Sequence, residues 1–135
     1  MDRKEVMEFF NKRPRNCLIS TANSIGEVNV AVYGSPRMID ENTVVLGIGN
    51  KLSYQNLREN PKAAIIVAEP GEITHDSNAV RLYLDVASIE TEGDLYEEMK
   101  AGIAKRVGKE AADNLQAAIR LKITDVRPLI APPIS

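Results

Sequence analysis

The 135-residue sequence contains no tryptophan, one histidine and one cysteine. A single cysteine, Cys17, excludes an internal disulfide and fits a reducing cytosol. One histidine with one cysteine falls short of the ligand set of a conventional zinc site, so no metal is expected. No apolar run approaches the roughly 20 residues that a membrane span needs. The start, Met1-Asp2-Arg3-Lys4-Glu5, is followed by no apolar signal core, so a cytoplasmic protein is expected. The net charge of −2 gives no global field toward nucleic acid or an anionic membrane, and any bound anion must be held by a local site. There is no GxGxxG, no internal repeat and no low-complexity tract.

What is present suits one folded domain spanning residues 1–135. Hydrophobic residues make up 44% and charged residues 27%, enough for a packed core. Arg3 to Lys12 reads as a helix with Asp2 as N-cap, Val6, Met7 and Phe10 on its apolar side, and Pro14 ending it. Strand signals then follow in quick succession. Cys17 to Thr21 is short and mostly apolar. Val28 to Tyr33 alternates, with Val28, Val30 and Val32 on one face and Asn29, Ala31 and Tyr33 on the other. Gly34-Ser35-Pro36 breaks the chain, Arg37 to Ile39 resumes it, and Thr43 to Ile48 reads as a strand buried on both faces.

A helix is expected over Asn50 to Glu59, capped by Asn50, with Leu52, Asn56 and Leu57 inward and Asn60-Pro61 as its stop. Lys62 to Ala68 and the alternating stretch from Val80 to Val86 are strands around a polar loop. Two helices separated by Gly108 are then predicted. Leu95, Met99, Ile103 and Val107 line the first; Ala111, Ala112, Leu115, Ala118 and Ile119 line the second. Lys122 to Val126 is the last strand, and Pro128, Pro132 and Pro133 make a stiff tail.

Four early strands joined by short turns must pair antiparallel, as a meander, because parallel pairing needs long crossovers. Six or seven such strands favour a small closed barrel, which removes exposed edges. The fold class expected is therefore mainly β with flanking helices.

Two stretches can carry chemistry. In Gly47-Ile48-Gly49-Asn50-Lys51-Leu52-Ser53, a buried strand runs through glycines into a helix start. Free N–H groups, Lys51 and Ser53 there suit a phosphate; the same residues also make a plain strand-to-helix turn. Asn29, Tyr33, Ser35 and Arg37 lie on or beside a strand, as a polar site or simply as its outward face. His75, in a polar loop, and the acidic set from Glu90 to Glu98 read as solvated surface, and Cys17 as a small core residue.

Ser35-Pro36-Arg37-Met38-Ile39, the strand Val44 to Gly47, and the run from Asn56 through "ENPKAAIIV" together resemble the pyridoxamine 5'-phosphate oxidase-like FMN-binding split barrels. The small FMN-binding proteins of that group are similar over the same stretch, about residues 5 to 91. The resemblance implies an antiparallel split barrel of six or seven strands that binds FMN at a homodimer interface. By position, it places Arg37 near the flavin or its phosphate, and Leu46 and Gly47 beside the ring. Ile48 and Tyr33 would help form the ring slot. Leu52 and Ser53 stand where the oxidases carry an arginine–lysine pair, Ser53 matching a hydroxyl of the small proteins and Lys51 supplying charge one position earlier. Asn29 and Ser35 match polar positions. The chain lacks the arginine- and tryptophan-containing segment with which the oxidases grip substrate phosphate, so pyridoxal phosphate synthesis is not expected.

Flavin carries its own redox chemistry, so no catalytic side chain need be visible, and none is assigned. The expected activity is that of an FMN-dependent oxidoreductase or flavin reductase with a small-molecule substrate or electron donor. A non-catalytic FMN carrier or electron-transfer protein, and a cofactor-free interaction module, are the alternatives. A deazaflavin or haem is the alternative ligand, since related barrels accept both.

Overall fold

A computed structural model describes residues 1–130 and residue 134. The first helix, α1 (Arg3–Asn11), starts at a capping box. The Asp2 carboxylate accepts the Glu5 backbone N–H at 2.9 Å, and the Glu5 carboxylate accepts the Asp2 N–H at 3.2 Å. Its apolar side buries Val6 and Phe10. Seven strands follow: β1 (Asn16–Ala22), β2 (Val28–Val32), β3 (Arg37–Asp40), β4 (Thr43–Gly49), β5 (Lys62–Ala68), β6 (Ala79–Glu90) and β7 (Leu115–Pro128). Helix α2 (Leu52–Glu59) joins β4 to β5, while α3 (Asp94–Arg106) and α4 (Lys109–Asp113) join β6 to β7.

All neighbouring strands are antiparallel, in the order β2-β1-β5-β6-β7-β4-β3. The edges of this sheet, β2 and β3, are consecutive in the chain and separated by only Tyr33–Pro36. A flat seven-stranded sheet would hold its edges about 29 Å apart. Five residue steps reach at most about 18 Å. The sheet must therefore roll until its edges approach, giving a barrel split between β2 and β3. Side chains of α1 and the segment after it tie that seam. Asn11 exchanges two hydrogen bonds with the backbone of Met38, and Arg15 donates to the carbonyls of Phe10, Gly34 and Pro36.

The barrel interior is filled by one side of each strand, including Ile19, Leu46, Ile65, Leu82 and Ile119. Strand β4 is buried on both faces, as its continuous apolar run predicts. Val44, Leu46 and Ile48 point into the barrel, and Val45 packs outward with Leu95, Met99, Leu115 and Ala118 beneath α3. Helix α3 is thus a second layer over β4 and β7.

Several expectations are corrected. The early strands are not a continuous meander: β2 pairs with β1 and β3 with β4, but β2 and β3 do not pair, because Gly34-Ser35-Pro36 carries the chain across the seam. The helix expected through Ile119 stops at Asp113, and β7 begins at Leu115 rather than Lys122. The alanine-rich segment is drawn into the gap between β4 and β6, where Leu46 faces Ile119 and Val86 faces Leu121. Pairing on both sides outweighs its helical propensity. Helix α2 starts at Leu52, Lys51 rather than Asn50 occupies the N-cap, Leu52 is exposed, and Ser53 and Tyr54 join Asn56 and Leu57 inside. Val107 faces solvent. Pro132 and Pro133 lie outside the described residues.

Candidate functional site

The site begins where β3 stops covering β4. The β3–β4 ladder runs from Asp40 with Thr43 to Arg37 with Val45, so Gly47 has no strand partner on that edge. Ser35 takes the missing place. Its hydroxyl donates to the Gly47 carbonyl at 2.9 Å and accepts the Gly47 N–H at 3.2 Å. One side chain thus satisfies both backbone groups of a buried strand residue.

Gly47 also lets α3 approach. A Cβ there would lie 3.0 Å from Leu115 Cδ1, 3.6 Å from Met99 Sδ and 3.7 Å from Ile103 Cδ1. The space left by the missing side chain is filled largely by this chain's own residues.

Two cavities flank the Ser35–Gly47 contact and share Gly47 and Ile103. The first, about 300 Å³, has Arg13, Ser35, Arg37 and Gly47 on the barrel side. Its α3 side is formed by Glu98, Met99, Gly102, Ile103 and Arg106. The second, about 430 Å³, runs along Ala31, Val32, Tyr33, Ile48, Gly49 and Lys51 of the barrel. Ile103, Ala111, Asn114 and Leu115 close its other side. Together they form a groove between the seam and the α3–α4 layer, on the scale of a small-molecule site.

Lys51 sits at the end of this groove, at the start of α2. It makes no side-chain capping bond, and the first N–H groups of the helix lack intrahelical acceptors. Helix start and ammonium therefore present positive potential together. At the other end Arg37 donates to Glu98 at 2.7 Å, both side chains being about half exposed. Arg13 donates to the Gly34 carbonyl at 3.2 Å, and Arg106 to the Gly102 carbonyl at 3.2 Å. Burial lowers the pKa of the neighbouring Arg15, with Cys17 opposing and Arg13 reinforcing that shift.

Of the residues singled out from the sequence, Tyr33, Ser35, Arg37, Gly47, Ile48 and Lys51 come together around the groove. Leu46 is wholly inside the barrel core and Ile48 almost so. Ser53 is buried, its hydroxyl accepting from Asn29 Nδ2 at 3.2 Å, so this pair braces α2 against β2 rather than lining the groove. Leu52 points to solvent. His75 lies in an exposed loop. Sequence reading missed Arg13, Glu98, Arg106 and Asn114 as lining residues. Met99 and Ile103 were legible as the apolar side of a helix, but nothing local revealed which strand that helix would cover. Among the described residues, no three His, Cys, Asp or Glu side chains converge as a metal site, and no helix is long and apolar enough to cross a membrane.

A family model described as pyridoxamine 5'-phosphate oxidase matches residues 3–129. Among solved structures, an FMN-binding protein from Syntrophomonas wolfei subsp. wolfei superposes with a TM-score of 0.82 at 22% identity, over 97% of this chain and 90% of that one. HutZ, the heme storage protein from Vibrio cholerae, gives 0.66 at 17% identity, over 93% and 92%. An F420 reductase gives 0.66 at 16% identity, over 89% and 94%. At these identities the structures share the fold. No curated protein matches the sequence.

Proposed function

The chain belongs to the pyridoxamine 5'-phosphate oxidase family, with its split-barrel fold, and from that premise we propose that it is an FMN-binding flavoprotein that works as a homodimer. The reading is carried by one observation. The segment Gly47–Lys51 runs along the groove and ends at the uncapped, lysine-marked start of α2. Such an end suits the phosphate of a mononucleotide, because backbone donors and a cation converge without a competing carboxylate in that cavity.

The donor set fits the cofactor. Lys51 and the first N–H groups of α2 would hold the phosphate, and the Asn29–Ser53 bond keeps α2 in place beneath them. Tyr33, Ile103 and Leu115 would border the ring and exclude water, and Ser35 fixes the strand that the ring would lie against. Bound FMN supplies the electron or hydride transfer; the protein supplies position and electrostatics. We assign an oxidoreductase or flavin reductase activity with a small diffusible partner.

The homodimer is supported by β2. This edge strand exposes Val28, Val30 and Val32 at 79%, 63% and 77%, an apolar row on its outer face. Exposed apolar edge strands are characteristic of surfaces that pair.

The test is a visible absorption spectrum and an FMN titration of the purified protein. Saturation at one FMN per chain is expected, with Lys51→Glu weakening affinity by about tenfold or more. No saturable binding would overturn the flavin reading. Turnover with a reduced nicotinamide donor separates an enzyme from an FMN carrier.

A further inference from the structure

Among the described residues three polar side chains are buried, Thr21, Ser53 and Asn56, and all three meet at one contact. Ser53 and Asn56 lie three residues apart on α2, so they are neighbours on its surface. Thr21 and Asn29 stand directly opposite each other on β1 and β2. The four side chains pair across the contact. Asn29 Nδ2 donates to the Ser53 hydroxyl at 3.2 Å, and Asn56 Nδ2 donates to the Thr21 hydroxyl at 3.1 Å. At the far end of the helix the Glu59 carboxylate accepts from the Ser24 hydroxyl at 2.9 Å. One side of α2 is thus hydrogen-bonded along its length to the β1–β2 hairpin, while Tyr54 and Leu57 pack into the barrel core.

Polar groups are a costly way to dock a helix, because each must be desolvated. An apolar face would avoid that cost, but apolar contact is non-directional and tolerates small slides and rotations. Hydrogen bonds of about 3 Å do not. Sliding a helix by one residue moves it about 1.5 Å along its axis. Lys51, the N-cap of α2, lines the larger cavity, so such a slide would carry its ammonium and the first N–H groups of the helix away from a ligand held there. The Thr21–Asn56 bond lies about one turn into the helix, and both of its partners are buried.

We propose that Thr21 and Asn56 are positioning residues that fix the start of α2 on the groove and thereby set a preference for a phosphorylated ligand over its dephosphorylated form. This deepens the flavoprotein reading and rests on it for the ligand. The bond acts on position more than on stability. Replacing both partners by apolar side chains of similar shape leaves no buried group unpaired, so the fold should persist while the register of α2 loosens. Placement errors of this size are enough to weaken binding at a charged site.

The test compares FMN with riboflavin, which lacks the phosphate, in the double variant Thr21→Val/Asn56→Leu. The thermal midpoint is expected to stay near the native value. FMN affinity should fall about tenfold and riboflavin affinity should hold. A merely structural role predicts that both affinities fall together or that neither falls, and either result would overturn the proposal. Should the double variant not fold, one position gives the same comparison. The ratio of FMN to riboflavin affinity should drop in Thr21→Val and be rescued in Thr21→Ser, which keeps the hydroxyl; equal ratios in the two would overturn the proposal.

Failure of the cofactor reading is distinguishable. Should FMN not bind the native protein, that reading fails, and inorganic phosphate becomes the probe, with the backbone amides of Leu52 and Ser53 followed by NMR. Saturable shifts that weaken about tenfold in Thr21→Val and return in Thr21→Ser would uphold the positioning role. Shifts of equal affinity in both, or none in the native protein, would overturn it.

Discussion

Ser35 illustrates how one side chain can replace a strand. Its hydroxyl serves both the N–H and the C=O of Gly47 where β3 no longer reaches. Ser35→Ala should leave both groups without their protein partner and cost about 1–3 kcal/mol in chemical denaturation. Gly47→Val should be worse tolerated in the α3 layer, since Leu115 already stands 3.0 Å from the first added atom. Overpacking of this kind costs roughly 1–3 kcal/mol and should lower hydrogen-exchange protection in α3. The phosphate assignment is better tested at Lys51 than at Ser53. Ser53 is buried against Asn29, so a charge there disturbs packing, whereas exposed Lys51 changes only the field at the groove. Cys17 gives a pH prediction. Burial pushes its thiol up, Arg15 and then Arg13 opposing. The folded state therefore holds the proton more tightly than the unfolded chain. This contribution to stability is fully present below the ordinary thiol range and is lost as pH rises through the raised folded value. Denaturation midpoints should fall over that alkaline range, and Cys17→Ala should reduce the drop. Thiol reagents at neutral pH should react slowly until the protein unfolds.

The elements between β6 and β7 depend on two glycines. Gly93 and Gly108 stand at the N-caps of α3 and α4 with φ of 99° and 137°. Gly108, with ψ of 170°, lies in a region essentially confined to glycine. Gly108→Ala should cost about 1–3 kcal/mol, read as a lower thermal midpoint. The separation of the two helices at this glycine was legible in the sequence. The end of the second helix was not. Ala111 to Ile119 carries helix-favouring alanines at helical spacing, yet from Leu115 onward most residues find strand partners in β4 or β6 that lie roughly 30 to 80 positions earlier. A local pattern cannot register partners at that distance.

At the scale of the whole molecule, the deciding feature is that the two sheet edges are neighbours in sequence. Rolling the sheet brings Gly34–Pro36 against β4, and the groove forms on the outside of that closure. The same closure turns Ala31 and Tyr33 of β2 onto the core and leaves the valine row facing out. Alternation in Val28 to Tyr33 was plain from the sequence; which face looks inward was not, because the valines are the more apolar set. If the valine row is the homodimer surface, sedimentation equilibrium should give two chains for the native protein, and Val30→Asp should shift it to one with the fold intact by circular dichroism. A native monomer would discard that surface.

By itself, the sequence determined the antiparallel, mainly β class, the helix start at Asp2, the burial of both faces of Thr43 to Ile48, and the family to which the order of these segments belongs. Those features rest on periodicity, capping and turn chemistry, which act over a few residues. Only the tertiary structure decided that β2 and β3 stay unpaired, that Ala117 to Ile119 is strand, and that Ser53 is a brace while Arg13, Glu98 and Arg106 face the groove. Each of these outcomes depends on groups brought together by the rolling of the sheet, and neighbours in space that are distant in the chain leave no local mark.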